Sequence, residues 1–340
     1  MNSFRIGQTE LLVNPNYSSI MTINSHPKPY QVEFKSFNGS FTQDQIVLID
    51  ANVQQLYNIQ HDRMIIIEAT EDNKSIETAL HICSMLMSFE FDKGNTLIVI
   101  GGGIIQDLGA YVAKTFRRGI NWIYYPTTLL SQCDSCIGGK TALNFHNYKN
   151  QLALFSAPSK VIIDIKFLST LKPQDTVSGY GEIVKLFLIG GDYYINNFDF
   201  MSMEEKIYHS LAIKKAVVEF DEFENYERKS LNYGHSFGHV IEPMEDYLIP
   251  HGEAVMLGIE LINRIFTKSQ IISDLIGRFT SLDKIKHLDI KKLVSGLKTD
   301  KKVAGGIISL VVVSQPGTTI FVNHPINKTL EDLVYEILTN

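Results

Sequence analysis

The chain has 340 residues with 31 Lys plus Arg against 37 Asp plus Glu, a net charge of −6. At about 150 residues per domain this length predicts two domains, and 44% hydrophobic with 20% charged residues excludes a disordered chain. The acidic balance, without a sustained Lys/Arg run, argues against general nucleic-acid or acidic-membrane binding, so an anionic ligand must be caught by a local pocket.

The opening MNSFRIGQTELLVNPNYSS has no apolar run of signal-peptide length, and no stretch reaches the roughly 18 apolar residues of a membrane span. A soluble cytoplasmic protein is expected. Five short β-rich runs follow, at Gln45–Asp50, Met64–Glu68, Thr96–Ile100, Asn121–Tyr125 and Lys160–Asp164, with helical patterns between them. That alternation predicts a parallel sheet. Between the second and third runs, Ile76, Ala79, Leu80, Cys83, Leu86 and Met87 recur at helical spacing and are expected to face the core. Cys133 and Cys136 in CDSC have no second pair to complete a zinc or disulfide framework, so packing is their expected role. The pattern changes near Leu168 to Pro173, after which the helical runs Gly181–Ile189, Ser210–Phe220 and Val255–Phe266 dominate until a strand pair at Ile307–Val313 and Thr318–Val322. The expected fold is an α/β N-terminal domain with a parallel sheet, residues 1–170, followed by a mainly α-helical domain, residues 171–340.

Two places suit a nucleotide. The strand TLIVI runs into Gly101, Gly102 and Gly103 and then into a helical pattern, where glycines permit close backbone approach and a helix N-terminus supplies N–H groups. The spacing is GGGxxxD rather than GxGxxG, so a tight turn is the alternative reading. Thr127 and Thr128 place two hydroxyls at the end of the next strand, where open α/β sheets bind ligands and where a capped turn is equally natural.

The densest cluster of chemical groups is LNYGHSFGHVIE with PHGEAV. His235 and His239 are four residues apart and share a helix face, a spacing common to metal pairs and to partly buried histidines. His251 follows His235 by 16 residues, and a helix hairpin would return it towards His235. Glu182, flanked by Ile183 and Val184, is costly to bury unless coordinated or paired, and Lys185 three positions on offers the alternative of an ion pair. Two histidines and a glutamate would leave a fourth zinc position open for catalysis. Asp134, then Gly138, Gly139 and Lys140 in CIGGKTALN, then Lys149 and Asn150, form a further polar set in glycine-rich surroundings, suited to a phosphorylated ligand.

In chain order, GGGIIQD, FRRG, YPTTLLSQCDSCIGGKTALN, GEIVK, LNYGHSFGHVIE and PHGEAV resemble the 3-dehydroquinate synthase family, one of the sugar phosphate cyclases, over roughly Ile46 to Val313. The resemblance implies a nucleotide-binding role for the α/β N-terminal domain and a metal-binding role for the helical one, with NAD and one divalent metal, zinc with cobalt as the alternative, bound between the two domains of a homodimer. It implies Glu182, His235 and His251 as metal ligands, and Asp134, Lys140, Lys185 and His239 as catalytic groups. Lys149, Asn150, Lys214, Arg228 and Asn232 match substrate-contacting positions. Arg118 in FRRG resembles an arginine that reaches the neighbouring subunit's site, with Arg117 beside it as the competitor, and either Lys301 or Lys302 in TDKKV matches a phosphate-contacting lysine. Gly101, Gly102, Gly103, Asp107, Thr127 and Thr128 fit the NAD positions, with Asp50, Asn52, Glu71 and Lys74 as further nucleotide contacts.

The implied reaction converts 3-deoxy-D-arabino-heptulosonate 7-phosphate to 3-dehydroquinate by transient oxidation at NAD, phosphate elimination, return of the hydride, ring opening and aldol closure. Zinc would act as Lewis acid, and the lysines and His239 would hold phosphate and relay protons. Relatives of this family use carboxylate-free substrates, including glucose 6-phosphate and sedoheptulose 7-phosphate, and metal-dependent polyol dehydrogenases share the fold. Arg228 and Lys214 match the pair that holds the substrate carboxylate, for which arginine's paired N–H donors are suited, and they favour the dehydroquinate reaction. The sequence departs from the family at Tyr148, commonly glycine, at Phe223, often arginine, and at Tyr226, often glycine.

Overall fold

The computed structural model describes residues 1–146, 148–299 and 303–339. Lys301 and Lys302 lie outside the described residues. Contacts divide the chain into one unit of Ser18–Lys172 and another of Met1–Tyr17 with Pro173–Asn340. No helix among the described residues is long and apolar enough to cross a membrane.

The chain opens with a hairpin, β1 (Asn2–Ile6) and β2 (Thr9–Val13), turned at Gly7 with φ +58. A sequence-based division at residue 170 places this hairpin in the α/β unit; the structure differs, because β1 pairs in parallel with a strand from the far end of the chain. Its buried Phe4, Ile6, Leu11 and Val13 alternate with more exposed neighbours, as a strand with one covered face requires.

The α/β unit follows: β3 (Ile20–Ile23), β4 (Tyr30–Phe34), β5 (Gln45–Asp50), α1 (Ala51–Leu56), β6 (Met64–Ile67), α2 (Ile76–Ser88), β7 (Thr96–Gly101), α3 (Gly103–Thr115), β8 (Trp122–Pro126), a hairpin of β9 (Lys140–Phe145) and β10 (Tyr148–Phe155), and β11 (Lys160–Ile163). Seven strands form one sheet in the order β3-β4-β11-β8-β7-β5-β6, all parallel except β3. Leu97, Ile98, Val99 and Ile100 of β7 are all buried, as expected of a central strand covered on both faces. One face packs Val47, Ile49, Ile98 and Ile100 against Val53, Ile59 and Phe167. On α3, a Cβ at Gly109 would lie 2.6 Å from Val99, so this glycine lets α3 seat closely on β7. On α2 the covered residues are Ala79, Ile82 and Leu86, whereas Leu80 and Met87 are exposed: the apolar stripe is narrower than the spacing suggests, and two of its expected members face solvent.

The other unit contains α4 (Pro173–Gly190), α5 (Asp192–Asn196), α6 (Met203–Phe220), α7 (His235–Met244), α8 (His251–Ile262), α9 (Gln270–Gly277), α10 (Ile290–Gly296), β12 (Val303–Ala304), β13 (Ile307–Gln315), β14 (Thr318–Pro325) and α11 (Lys328–Thr339). It is mainly helical, yet it also holds a five-stranded sheet, β12-β13-β14-β1-β2. Pro173 opens α4, where its missing N–H costs nothing. Glycines set the helix contacts: Cβ atoms at Gly181 and Gly252 would lie 2.0 Å from the Gly252 carbonyl oxygen and 1.8 Å from the Ser178 carbonyl oxygen, so α4 and α8 approach backbone to backbone. Gly258 makes a similar approach to Gly234, ahead of α7.

Candidate active site

In the α/β unit, β6 lies on one side of β5 and β7 on the other, so the chain reverses its winding direction between β5 and β7. Ligands of open α/β sheets collect at the carboxyl edge of such a reversal. Asp50, Gly101 to Gly103, and Thr127 with Thr128 end three adjacent strands there. Asp50 N-caps α1, accepting from the Asn52 amide at 3.0 Å, and burial raises its pKa. Gly102 N-caps α3 with no side-chain cap, and a Cβ on it would meet Thr128 Cγ2 at 2.9 Å. A Cβ on Gly103 would meet nothing within 4 Å. This uncapped helix start, with open space at its first residue, can take a phosphate. Thr128 Oγ1 donates to Ser131 Oγ at 2.9 Å, and Thr127 donates its backbone N–H to Gly101.

A second cluster in this unit joins residues that the sequence leaves scattered. Lys74 Nζ lies 2.6 Å from Asp107 Oδ2 and donates to Asn150 Oδ1 at 2.7 Å. Asp107 Oδ1 accepts from the Ala142 amide; burial raises its carboxyl pKa, against the opposing pull of Lys74. Glu71 faces Lys149 at 3.9 Å and accepts from Asn144, whose own Oδ1 accepts from the Asn150 amide. A register shift in β10 between Tyr148 and Leu152 carries Lys149 and Asn150, and Asn150 adopts φ 55. Tyr148 itself is exposed. Asp134 sits in a π-turn, Ser131–Ser135, pinned to α3 by Gln106 through Ser135. Cys133 and Cys136 are buried in and beside that turn, and Lys140 begins β9. Arg117 and Arg118 both have left-handed backbones and both are exposed; Arg117 donates to the Phe91 carbonyl.

In the helical unit, Glu182 on α4 and His235 and His251, the first residues of α7 and α8, converge. Glu182 Oε1 lies 3.6 Å from His235 Nε2 and 3.3 Å from His251 Nε2, and the three ligand atoms all fall within 4.8 Å of one another. Tetrahedral zinc with bonds of about 2.0–2.2 Å separates neighbouring donors by roughly 3.4 Å, so this donor set fits a divalent cation. Glu182 is 1% exposed and also pairs with Lys185. The Tyr233 carbonyl orients His235 through Nδ1 at 3.1 Å, and Glu242 Oε1 does the same for His251 at 3.3 Å. Burial, together with Lys185, His251 and His239, holds His235 well below the usual imidazole range. Burial lowers His251 as well, but Glu182 and Glu242 outweigh it and push its pKa up to about 10. The carboxylates here favour positive charge. His239, one turn after His235, is exposed beside both rings at 5.3 and 5.9 Å.

Arg228 is 1% exposed, and its guanidinium donates to the Glu222 carbonyl. The turn Glu227–Asn232 that carries it packs against α6, the helix of the buried Lys214. Asn232 donates to Glu224 at 3.0 Å. Phe223 and Tyr226 are exposed.

The sequence reading missed Glu242, although its spacing from His235 and His239 puts it on their helix face. It also missed Asp221, whose side chain accepts three backbone N–H bonds in the loop before Arg228. An Asp just past a helical run is a turn-former, and that was the available signal.

Residues 64–178 match the 3-dehydroquinate synthase N-terminal family and residues 179–303 the 3-dehydroquinate synthase C-terminal family. The chain is 38% identical over 300 residues to the 3-dehydroquinate synthase of Pelagibacter ubique, with 80% of each chain covered. It is 32% identical over 359 aligned positions to that of Halalkalibacterium halodurans, covering 94% of this chain and 97% of the relative. Its fold is similar to that of 2-deoxy-scyllo-inosose synthase complexed with carbaglucose-6-phosphate, NAD+ and Co2+, with a TM-score of 0.79 at 21% identity, covering 93% of this chain and 99% of the other. This fold, with its sheet-edge glycines and Glu-His-His cluster, is that of the sugar phosphate cyclases. Within them, the chain belongs to the 3-dehydroquinate synthase family.

Proposed function

We propose that the chain converts 3-deoxy-D-arabino-heptulosonate 7-phosphate to 3-dehydroquinate and inorganic phosphate, using NAD and one divalent cation. The observation that carries this reading is the convergence of Glu182, His235 and His251 beside Lys185, in a chain 38% identical to a 3-dehydroquinate synthase. NAD at the uncapped start of α3 would supply a transient hydride acceptor, and a cation on the Glu-His-His set would supply Lewis acidity.

The chain's own residues do the rest. Arg228 and Lys214 bind the substrate carboxylate, a buried guanidinium matching its two oxygens. Asn232 and Lys185 orient the substrate's hydroxyls. Lys140, Lys149 and Asn150 hold the phosphate and Asp134 orients the group beside it, with Lys74 and Asp107 fixing Asn150. His239, exposed beside the cluster, moves a proton at its imidazole nitrogen. Glu242 and the Tyr233 carbonyl set the tautomers of His251 and His235.

Zinc is the proposed cation, and the proposed setting is the cytoplasm. The proposed assembly is a homodimer in which Arg118, rather than the anchored Arg117, reaches the neighbouring subunit's site. Equilibrium sedimentation tests the dimer, and a fully active monomer would contradict it. The substrate is tested by kcat/KM for the heptulosonate against sedoheptulose 7-phosphate and glucose 6-phosphate. Preference for the heptulosonate is expected; preference for a carboxylate-free sugar would reassign the chain to another cyclase reaction.

A further inference from the structure

We propose that Asp221 is a positioning residue that folds the loop 221–228 around its carboxylate and thereby fixes Arg228 for recognition of the substrate carboxylate; this rests on the function proposed above. Asp221 ends α6 with its own N–H bonded to the Val217 carbonyl at 3.0 Å, two helical turns beyond Lys214. From that anchor, Oδ1 accepts from the Asn225 amide at 2.8 Å, and Oδ2 accepts from the Tyr226 amide at 2.8 Å and the Arg228 amide at 3.1 Å. Asp221 as a residue is 7% exposed. Burial alone would raise its pKa, but the three N–H donors and Arg228 hold it below the usual range, so it stays ionised.

The arrangement links both halves of the carboxylate receptor. Lys214 is on the helix that Asp221 terminates, and Arg228 has its main chain on Asp221 and its guanidinium on the Glu222 carbonyl. The loop also accommodates Glu224 at φ 62, a conformation unfavourable without glycine, and leaves Phe223 and Tyr226 pointing to solvent. The departures from the family pattern at 223 and 226 therefore change the outer surface of the loop while Asp221 holds its inner backbone.

Two roles make opposite predictions for Asp221→Asn. If Asp221 acted on Arg228 only as a nearby negative charge, removing that charge would free the guanidinium and strengthen its hold on an anionic substrate. A positioning role predicts the reverse, because the amide replaces one acceptor oxygen with a donor that faces a backbone N–H. KM for the heptulosonate is expected to rise roughly tenfold or more, as loss of a charged acceptor implies. With Arg228 rather than the reacting atoms displaced, kcat should change by less than about threefold. Competitive inhibition by inorganic phosphate, which has no carboxylate, should be unchanged. A merely structural defect would reduce active enzyme and kcat without this split.

Amide hydrogen exchange supplies a readout independent of turnover: protection at Asn225, Tyr226 and Arg228 in the wild-type chain, lost in the variant. An unchanged or lower KM in Asp221→Asn, or fast exchange of these three amides in the wild-type chain, would overturn the proposal. Where the variant fails to fold, wild-type exchange still tests the loop, and fast exchange of the three amides overturns the proposal. Wild-type protein that ignores the heptulosonate yet protects the three amides would remove the proposed substrate and with it the recognition role, leaving the loop fold standing.

Discussion

Gly252→Ala tests whether the glycine contact between α4 and α8 brings the cation ligands together. The new Cβ would lie 1.8 Å from the Ser178 carbonyl oxygen, where contacts under 3.0 Å essentially never occur and ordinary ones begin at 3.4 Å. The clash is with backbone, which cannot rotate aside, so the helices must separate locally by roughly 1.2–1.6 Å. Overpacking of this kind costs about 1–3 kcal/mol, and the upper end applies because the same separation stretches the hydrogen bond that the Gly252 amide donates to Ser178 Oγ at 3.1 Å. His251 precedes Gly252 directly, and its Nε2 stands 3.3 Å from Glu182 Oε1, so the same displacement takes the pair to roughly 4.5–5 Å. That is more than about 1 Å beyond the roughly 3.4 Å between neighbouring donors of a tetrahedral zinc, so the site must contract again to bind the ion. Urea unfolding of chelator-treated protein should show the stability loss, and zinc titration by calorimetry should show weakened binding. Stability within about 0.5 kcal/mol of wild type together with unchanged zinc affinity would refute the reasoning.

Three further substitutions test other parts of the account. Gly103→Ala places a methyl group in open space at the first residue of α3, so stability should hold or rise by up to about 1 kcal/mol while NAD affinity falls; calorimetric NAD binding equal to wild type would contradict the cradle. Arg228→Lys keeps the charge but loses the planar fork, and should raise KM for the heptulosonate by roughly tenfold or more; an unchanged KM in initial-rate assays would remove the carboxylate receptor. Lys74→Ala leaves Asp107 buried without its cation and should cost about 2 kcal/mol at pH 7, less than for a fully buried pair because the partners are 11% and 18% exposed. Asp107 already has a raised pKa in the folded state, and losing Lys74 raises it further. Both folded forms keep this proton above the ordinary aspartate value of about 3.9, the variant to a higher pH than the wild type, so the variant's deficit should grow as pH rises from the wild-type folded pKa of Asp107 to that of the variant. Urea midpoints at pH 4.5 and 7.5 check this, and an equal deficit at both would contradict it.

Local pattern made much of the molecule legible. Each of the five β-rich runs is a strand of the parallel sheet, because strands buried on both faces read as unbroken apolar runs such as Leu97 to Ile100. The histidine spacing and the motif resemblance likewise gathered Glu182, His235 and His251, which the structure brings within 4.8 Å. Long-range pairing was not legible. Nothing in residues 2–6 marks residues 318–319 as their parallel partners, so a boundary at residue 170 leaves β1 and β2 with the α/β unit, whereas contacts group them with Pro173–Asn340. The sequence shows Lys140, Lys149 and Asn150 only as members of a polar set in glycine-rich surroundings, yet they lie on a hairpin whose irregular register carries Lys149 and Asn150 to Glu71, Lys74 and Asp107. Helical spacing placed Leu80 and Met87 in the core, but period alone fixes a stripe's direction and not its width. Asp221 and Glu242 act through backbone amides and through another side chain, roles that residue identity does not announce.

The most direct test of the central claim is the stoichiometry of phosphate and NADH during turnover. Purified protein with zinc, substoichiometric NAD and 3-deoxy-D-arabino-heptulosonate 7-phosphate should release many equivalents of inorganic phosphate per NAD, accumulate no net NADH, and yield a product with the mass of 3-dehydroquinate. Zinc-loaded, NAD-binding protein that releases no phosphate, or that accumulates NADH with each turnover as a polyol dehydrogenase would, contradicts it.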